Sequence, residues 1–161
     1  MQTLETLMQT EIREEFWHAF EDSPYCMIRL EGASGHSEPM TAQLDRDARH
    51  EIWFFTTRNN RIGQGGQAMA QFMSKGHDVF ACLMGNLVEE NSKDIWDKHW
   101  GRPEEAWFPE GRSDPNVIML RYEIAEAEVW TADPGLMGKL KLLSGAKIEP
   151  SEAGSHAVGR V

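Results

Sequence analysis

The sequence predicts an α+β fold in which an antiparallel sheet of about six to seven strands closes on itself, with helices packed outside. Three observations carry this reading. Apolar, β-branched runs follow one another in hairpin order, two helical patterns interrupt them, and strand and helix do not alternate as a parallel sheet would require. Closure would also remove the edges that an aromatic-rich sheet exposes to aggregation.

The 161 residues fit one domain. We expect it to span residues 1–146, with 147–161 as a flexible tail that is loose or lies over a partner subunit. A hydrophobic fraction of 40%, with six Trp and seven Phe, excludes a disordered chain. No apolar run is long enough to cross a bilayer, so no membrane partner is expected. The acidic, amphipathic start lacks the basic and apolar regions of a secretory signal. Cys26 and Cys82 sit in apolar runs with no metal-site spacing, which reads as reduced thiols and a cytoplasmic protein. A formal net charge of −10 repels polyanions and no basic stripe offsets it, so no nucleic-acid partner is expected. Arg58 and Arg61 cluster against that background and suggest one small anion.

Each element has its own signal. From Thr3 to Phe20, Leu4, Leu7, Met8, Ile12, Phe16 and Phe20 recur at helical spacing, and Ser23-Pro24 ends the helix. Tyr25 to Leu30 is a compact strand, a Gly32 to Gly35 turn follows, and His36 to Leu44 is its hairpin partner. Glu51 to Thr57, β-branched and aromatic, is the strongest strand signal in the chain. Arg58 to Gly66 reads as a polar, glycine-rich loop where chemistry could sit. Gln67 to Met73 and Val79 to Val88 flank a short polar connection, a hairpin signature. Asn91 or Ser92 then caps a helix whose Ile95, Trp96, His99 and Trp100 share a face, and Gly101-Arg102-Pro103 stops it. Val117 to Ile124 and Ala127 to Thr131 give two more strands.

Most familiar catalytic patterns are absent. There is no nucleophile elbow, no Walker loop, no zinc-protease helix and no dinucleotide fingerprint. Gly63-Gln64-Gly65-Gly66 lacks the Lys-Ser/Thr of a phosphate loop and reads as a turn. The six histidines are scattered, with no pair at metal-ligand spacing, so no metal is expected. Trp107-Phe108-Pro109 and Asp114-Pro115 form either a ligand rim or a rigid loop in an aromatic cleft.

Taken in order, Glu38-Pro39-Met40-Thr41-Ala42, Ile52 to Thr57, Arg61, Leu83-Met84-Gly85, Trp107 to Pro115 and Ala127-Glu128-Val129-Trp130 resemble the pyridoxamine 5′-phosphate oxidase-like family, more narrowly its general stress protein branch. The likeness spans roughly Glu11 to Gly145. It implies a split β-barrel that binds FMN between the two subunits of a homodimer. Pro39, Met40 and Thr41 would then present amides and a hydroxyl to the flavin ring. Phe54 or Phe55, alternating across the next strand, would supply an apolar wall, with Phe55 the candidate. Thr56 and Thr57 would reach the ribityl phosphate, Arg58 and Arg61 would neutralise it, and Trp107 and Trp130 would contact the cofactor, Trp130 across the dimer.

The likeness has two gaps. Glu38 stands where the family commonly has a basic residue, and no Arg and His equivalent to the pyridoxamine phosphate ligands of the true oxidases is found, so that activity is not implied. The function expected is a flavin-dependent oxidoreductase acting on a small electron donor or acceptor, with catalytic residues unassigned. The alternatives are a non-catalytic flavin carrier or stress-response module, or a haem or deazaflavin binder on the same fold.

Overall fold

The computed structural model describes residues 4–132, 143–145, 147 and 154–161, with side chains from residue 9. The side chains of Leu4, Leu7 and Met8, and residue 146 where the domain was expected to end, lie outside the described residues.

Helix α1 (Leu4–Asp22) comes first, and its buried face carries Ile12, Phe16, Trp17 and Phe20. From Ile12 to Phe20 the expected apolar stripe is there, widened by Trp17. Strands β1 (Tyr25–Leu30), β2 (Glu38–Thr41), β3 (Glu51–Thr57), β4 (Gly66–Met73), β5 (Val79–Glu89), β6 (Val117–Thr131) and β7 (Ser155–Gly159) form one antiparallel sheet. Its order is β2-β1-β4-β5-β6-β3, with β7 added to β6. The path closes where the two outermost strands meet. Gln43 N donates to Trp53 O at 2.7 Å, and Trp53 N returns the bond to Gln43 O at 3.0 Å.

Inside, Ile28, Ile52, Phe54, Leu83, Leu120 and Tyr122 are fully buried, because alternate residues of each strand point to one face. The Tyr122 hydroxyl lies 2.8 Å from Ala68 O and 3.0 Å from Leu83 O, which satisfies it in the apolar interior. Outside, α1 covers one mouth, with Phe20 against Phe72 at 4.8 Å between ring centres. The fold is the α+β split barrel that the sequence predicts.

Four local readings need correction. Val117 to Thr131 is one strand, not two, because β5 pairs along it on both sides of a bulge that leaves Ala125 unpaired. Gly85 opposes that bulge, and a Cβ there would come within 2.2 Å of Glu123 O, so only glycine fits. Ser155 to Gly159 is ordered as β7, paired with Ala127 to Thr131; β6 outruns β3 and offers that edge, a template that local sequence does not reveal. The loop after β3 is not free of core residues, since Ile62 is buried to 1%. Gly101 ends one helix and also opens another, for α2 (Lys93–His99) is followed by α3 (Arg102–Trp107).

Cys26 is buried and Cys82 half-buried, both as free thiols, and burial pushes the Cys26 thiol up to about 12. No helix among the described residues is long and apolar enough to cross a membrane.

Candidate functional site

The closure of the barrel makes a groove. Beside the Gln43–Trp53 bridge, β2 and β3 diverge, and α3 stands over the gap. The resulting cavity of about 230 Å³ is lined by Pro39, Met40, Thr41 and Gln43 on one side and by Phe55, Thr56 and Thr57 on the other. Glu104, Trp107 and Phe108 complete it.

Strand alternation decides which aromatic faces it. Phe54 is fully buried against Tyr122, whereas Phe55 is half-buried and turns outward. Phe55 then meets Trp96 and Trp100 edge-on, each at 5.2 Å between ring centres, and Trp100 stacks on Phe108 at 6.0 Å. These offset and edge contacts are the favourable aromatic arrangements. The groove therefore has a stiff apolar back.

Buried carboxylates hold that back in place. Glu90 accepts from the Trp53 indole at 3.0 Å and from Arg121 at 3.1 Å, while its backbone carbonyl accepts from the Trp96 indole at 2.8 Å. Burial alone would raise the Glu90 pKa, but the Trp53 and Arg121 hydrogen bonds outweigh it and hold the group below the usual carboxylate range. Glu104 accepts from the Gln43 amide at 3.0 Å and from Gly101 N at 2.9 Å, so it caps α3 and ties it to the strand opposite. Trp107, at the end of that helix, is 81% exposed and still lines the groove.

Seven of the ten residues predicted for the site thus share one cavity: Pro39, Met40, Thr41, Phe55, Thr56, Thr57 and Trp107. Three do not. Arg58 lies at the same end but is clasped by Glu89 in a two-pronged pair at 2.9 and 3.1 Å. Arg61 donates to His36 O at 3.1 Å and pairs through Nε with Glu38 at 3.3 Å. Trp130 lies on a separate, broader depression of about 680 Å³, lined by Tyr25, Met27, Met73 and Phe80 among others. Pro39 lines both cavities, so the two adjoin at that residue. Gln43 and Glu104 were missed by sequence reasoning. Glu104 had a signal, as a Glu three residues after the glycine that opens a helix; Gln43 had none.

These residues suit a flat, partly apolar ligand with a polar tail. Phe55 and Met40 offer apolar contact, the exposed edge at Pro39 and Thr41 offers polar contact, and Thr56 and Thr57 line the end of β3 next to Arg58.

Comparison with known proteins agrees with this architecture. The family model described as pyridoxamine 5′-phosphate oxidase like matches residues 11–152. No curated protein matches the chain. Among solved structures, one described as a general stress protein 26 from Jannaschia sp. CCS1 is 24% identical, with a TM-score of 0.77 over 94% of this chain and 99% of that one. The general stress FMN/FAD binding protein of Xanthomonas citri is 38% identical, with a TM-score of 0.69 over 76% of this chain and 89% of that one. A general stress family protein of Xanthomonas campestris pv. campestris is 36% identical, with a TM-score of 0.68 over 76% and 88%. The match over most of the chain, and the two relatives above one-third identity, place it plainly: the chain belongs to the pyridoxamine 5′-phosphate oxidase-like family, in its general stress protein branch.

Proposed function

We propose that the chain binds FMN in the groove between β2 and β3 and uses it in electron transfer with a small-molecule donor or acceptor. The observation that carries this reading is the meeting of Pro39–Met40–Thr41 with Phe55–Thr56–Thr57 and Trp107 around one cavity. Its likeness to a protein described as FMN/FAD binding, at 38% identity, supports it. Bound flavin would supply the redox chemistry, and the residues present would bind, orient and shield it. Pro39, Met40 and Thr41 would meet the ring, Phe55 and Trp107 would wall it, and Thr56 and Thr57 would take the tail.

We further infer that the active form is a homodimer. The cavity is smaller than the roughly 300–1,000 Å³ of complete small-molecule sites, so one chain supplies only part of the enclosure. The depression next to it exposes Tyr25 (61%), Met73 (56%), Met27 (41%) and Trp130 (40%), an apolar face suited to a second copy. In such a dimer Trp130 would reach the partner's flavin.

One feature favours a carrier over a catalyst. Glu104 is the only ionisable side chain among the described residues lining the groove, and both its oxygens already accept hydrogen bonds. Fluorescence titration of the purified protein with FMN tests the binding: saturable quenching is expected, and none would end the proposal. Oxidation of reduced nicotinamide cofactor by the loaded protein, well above that by free FMN, would decide for catalysis over carriage. An absorption spectrum of protein from its native host separates FMN from haem or a deazaflavin.

A further inference from the structure

We propose that Glu38 is a specificity-determining residue that cancels the positive charge at the tail end of the groove, so that the site takes flavins almost regardless of their phosphate. The proposal rests on the flavin reading and concerns which flavins are taken.

Geometry puts Glu38 at the relevant end. The Gln43–Trp53 bridge is antiparallel, so running back along β2 from Gln43 to Glu38 means running forward along β3 from Trp53 to Arg58. Glu38, Arg58 and Arg61 therefore gather where a ligand tail leaving Thr56 and Thr57 would emerge. Both arginines are already answered by a carboxylate. Arg61 Nε meets Glu38 Oε1 at 3.3 Å, and Arg58 meets Glu89 through both terminal nitrogens. Two guanidinium groups and two carboxylates leave that end with no net charge.

The two pairs differ in what a ligand could change. Glu89 ends β5, paired with Leu120 of β6, and its two-pronged pair with Arg58 is a clasp between β3 and β5, whereas Arg61 meets Glu38 through one nitrogen. Glu38 cannot leave. Its backbone is fixed by pairing with Ile28 of β1, and its side chain is only 23% exposed. Arg61 is half exposed and its single contact with Glu38 is 3.3 Å long, weak enough for a phosphate to break. What remains is a fixed negative charge beside the dianion, which opposes the gain from Arg61. The His36 carbonyl, bound to Arg61 Nη1, adds a second acceptor on the same side and occupies one of its donors.

The expected consequence is a small difference between FMN and riboflavin, which share the ring and ribityl chain and differ in the phosphate. Removing one unit charge about 6 Å from a dianion in a water-like dielectric alters affinity by roughly tenfold. The test compares dissociation constants for FMN and riboflavin, by flavin fluorescence, in the wild type and in Glu38→Gln. The affinity ratio of FMN to riboflavin should rise about tenfold in the variant, with riboflavin affinity nearly unchanged and the gain shrinking as salt is added. Riboflavin binding also reports that the variant's groove is intact; should Glu38→Gln lose it, Glu38→Thr replaces it under the same criterion. A ratio that rises less than threefold would overturn the proposal while leaving flavin binding in place. Failure of both flavins to bind the wild type would overturn the flavin reading and this proposal together.

Discussion

Gln43 donates its side-chain amide to Glu104 at 3.0 Å, joining the segment after β2 to helix α3 across the groove. The bond spans 61 positions of sequence, so the aromatic wall of the groove is located by a contact that no local pattern encodes. Glu104 is only 8% exposed. Glu104→Ala would leave the Gln43 amide and Gly101 N–H without this partner, and we expect a loss of about 1–3 kcal/mol in unfolding free energy. Urea denaturation measures it. Glu104→Gln, which still offers one carbonyl oxygen, should lose less.

Trp107 separates stability from binding. Because it is 81% exposed, Trp107→Ala should alter stability by no more than about 0.5 kcal/mol. Flavin affinity should nevertheless fall roughly three- to tenfold, the size of one aromatic contact. Calorimetry with and without FMN gives both quantities in one preparation. An unchanged affinity would place the ring away from α3.

Acid should loosen the helix that backs the groove. His99 stacks on Trp53 at 5.2 Å, and burial, with help from Lys98, holds its pKa below the ordinary value near 6.5. The unfolded chain therefore binds this proton more readily than the folded one. The contribution of neutral His99 is intact above about pH 6.5 and is lost as pH falls toward the depressed folded value. Thermal midpoints between pH 7.5 and 5.5 should fall in the wild type and fall less in His99→Gln.

Gly85 offers the sharpest test of the barrel itself. Any side chain there meets backbone, which cannot rotate away as a flexible side chain would. Gly85→Ala should cost at least about 1–3 kcal/mol, the usual range for forcing atoms into a packed region. The midpoint of chemical denaturation reads the loss, and the bulge at Ala125 is where the structure would have to give.

The elements were legible where local chemistry decides them. The β-branched run Ile52 to Thr57, the hairpin around Ser74 to Asp78 and the Ser92 cap, which accepts from Ile95 N, all appear where the residues call for them. Pro39 to Thr41 and Phe55 to Thr57 were assigned to one site and do meet. Distance in sequence hid the rest. β7 forms only because β6 extends beyond β3, and Gln43 matters only because Glu104 arrives from another element. Arg58 and Arg61 read as free cations because their partners, Glu89 and Glu38, are 31 and 23 positions away in the chain. A charge is read from one residue, whereas its compensation is a property of the fold.

The Gln43–Trp53 bridge has a further consequence. A barrel whose first and last strands meet through one pair of hydrogen bonds has a zip there, not a weld. That line should breathe first, with the amides of Gln43 and Trp53 exchanging with solvent ahead of those in β4 and β5. The groove lies across it. A ligand gripping Pro39–Thr41 on one lip and Phe55–Thr57 on the other would sew the lips together, and at a hundredfold excess over its dissociation constant would add about 2.7 kcal/mol to the folded state. A barrel held in this way would lose that contribution when the ligand is scarce, and would open first along the line the ligand spans.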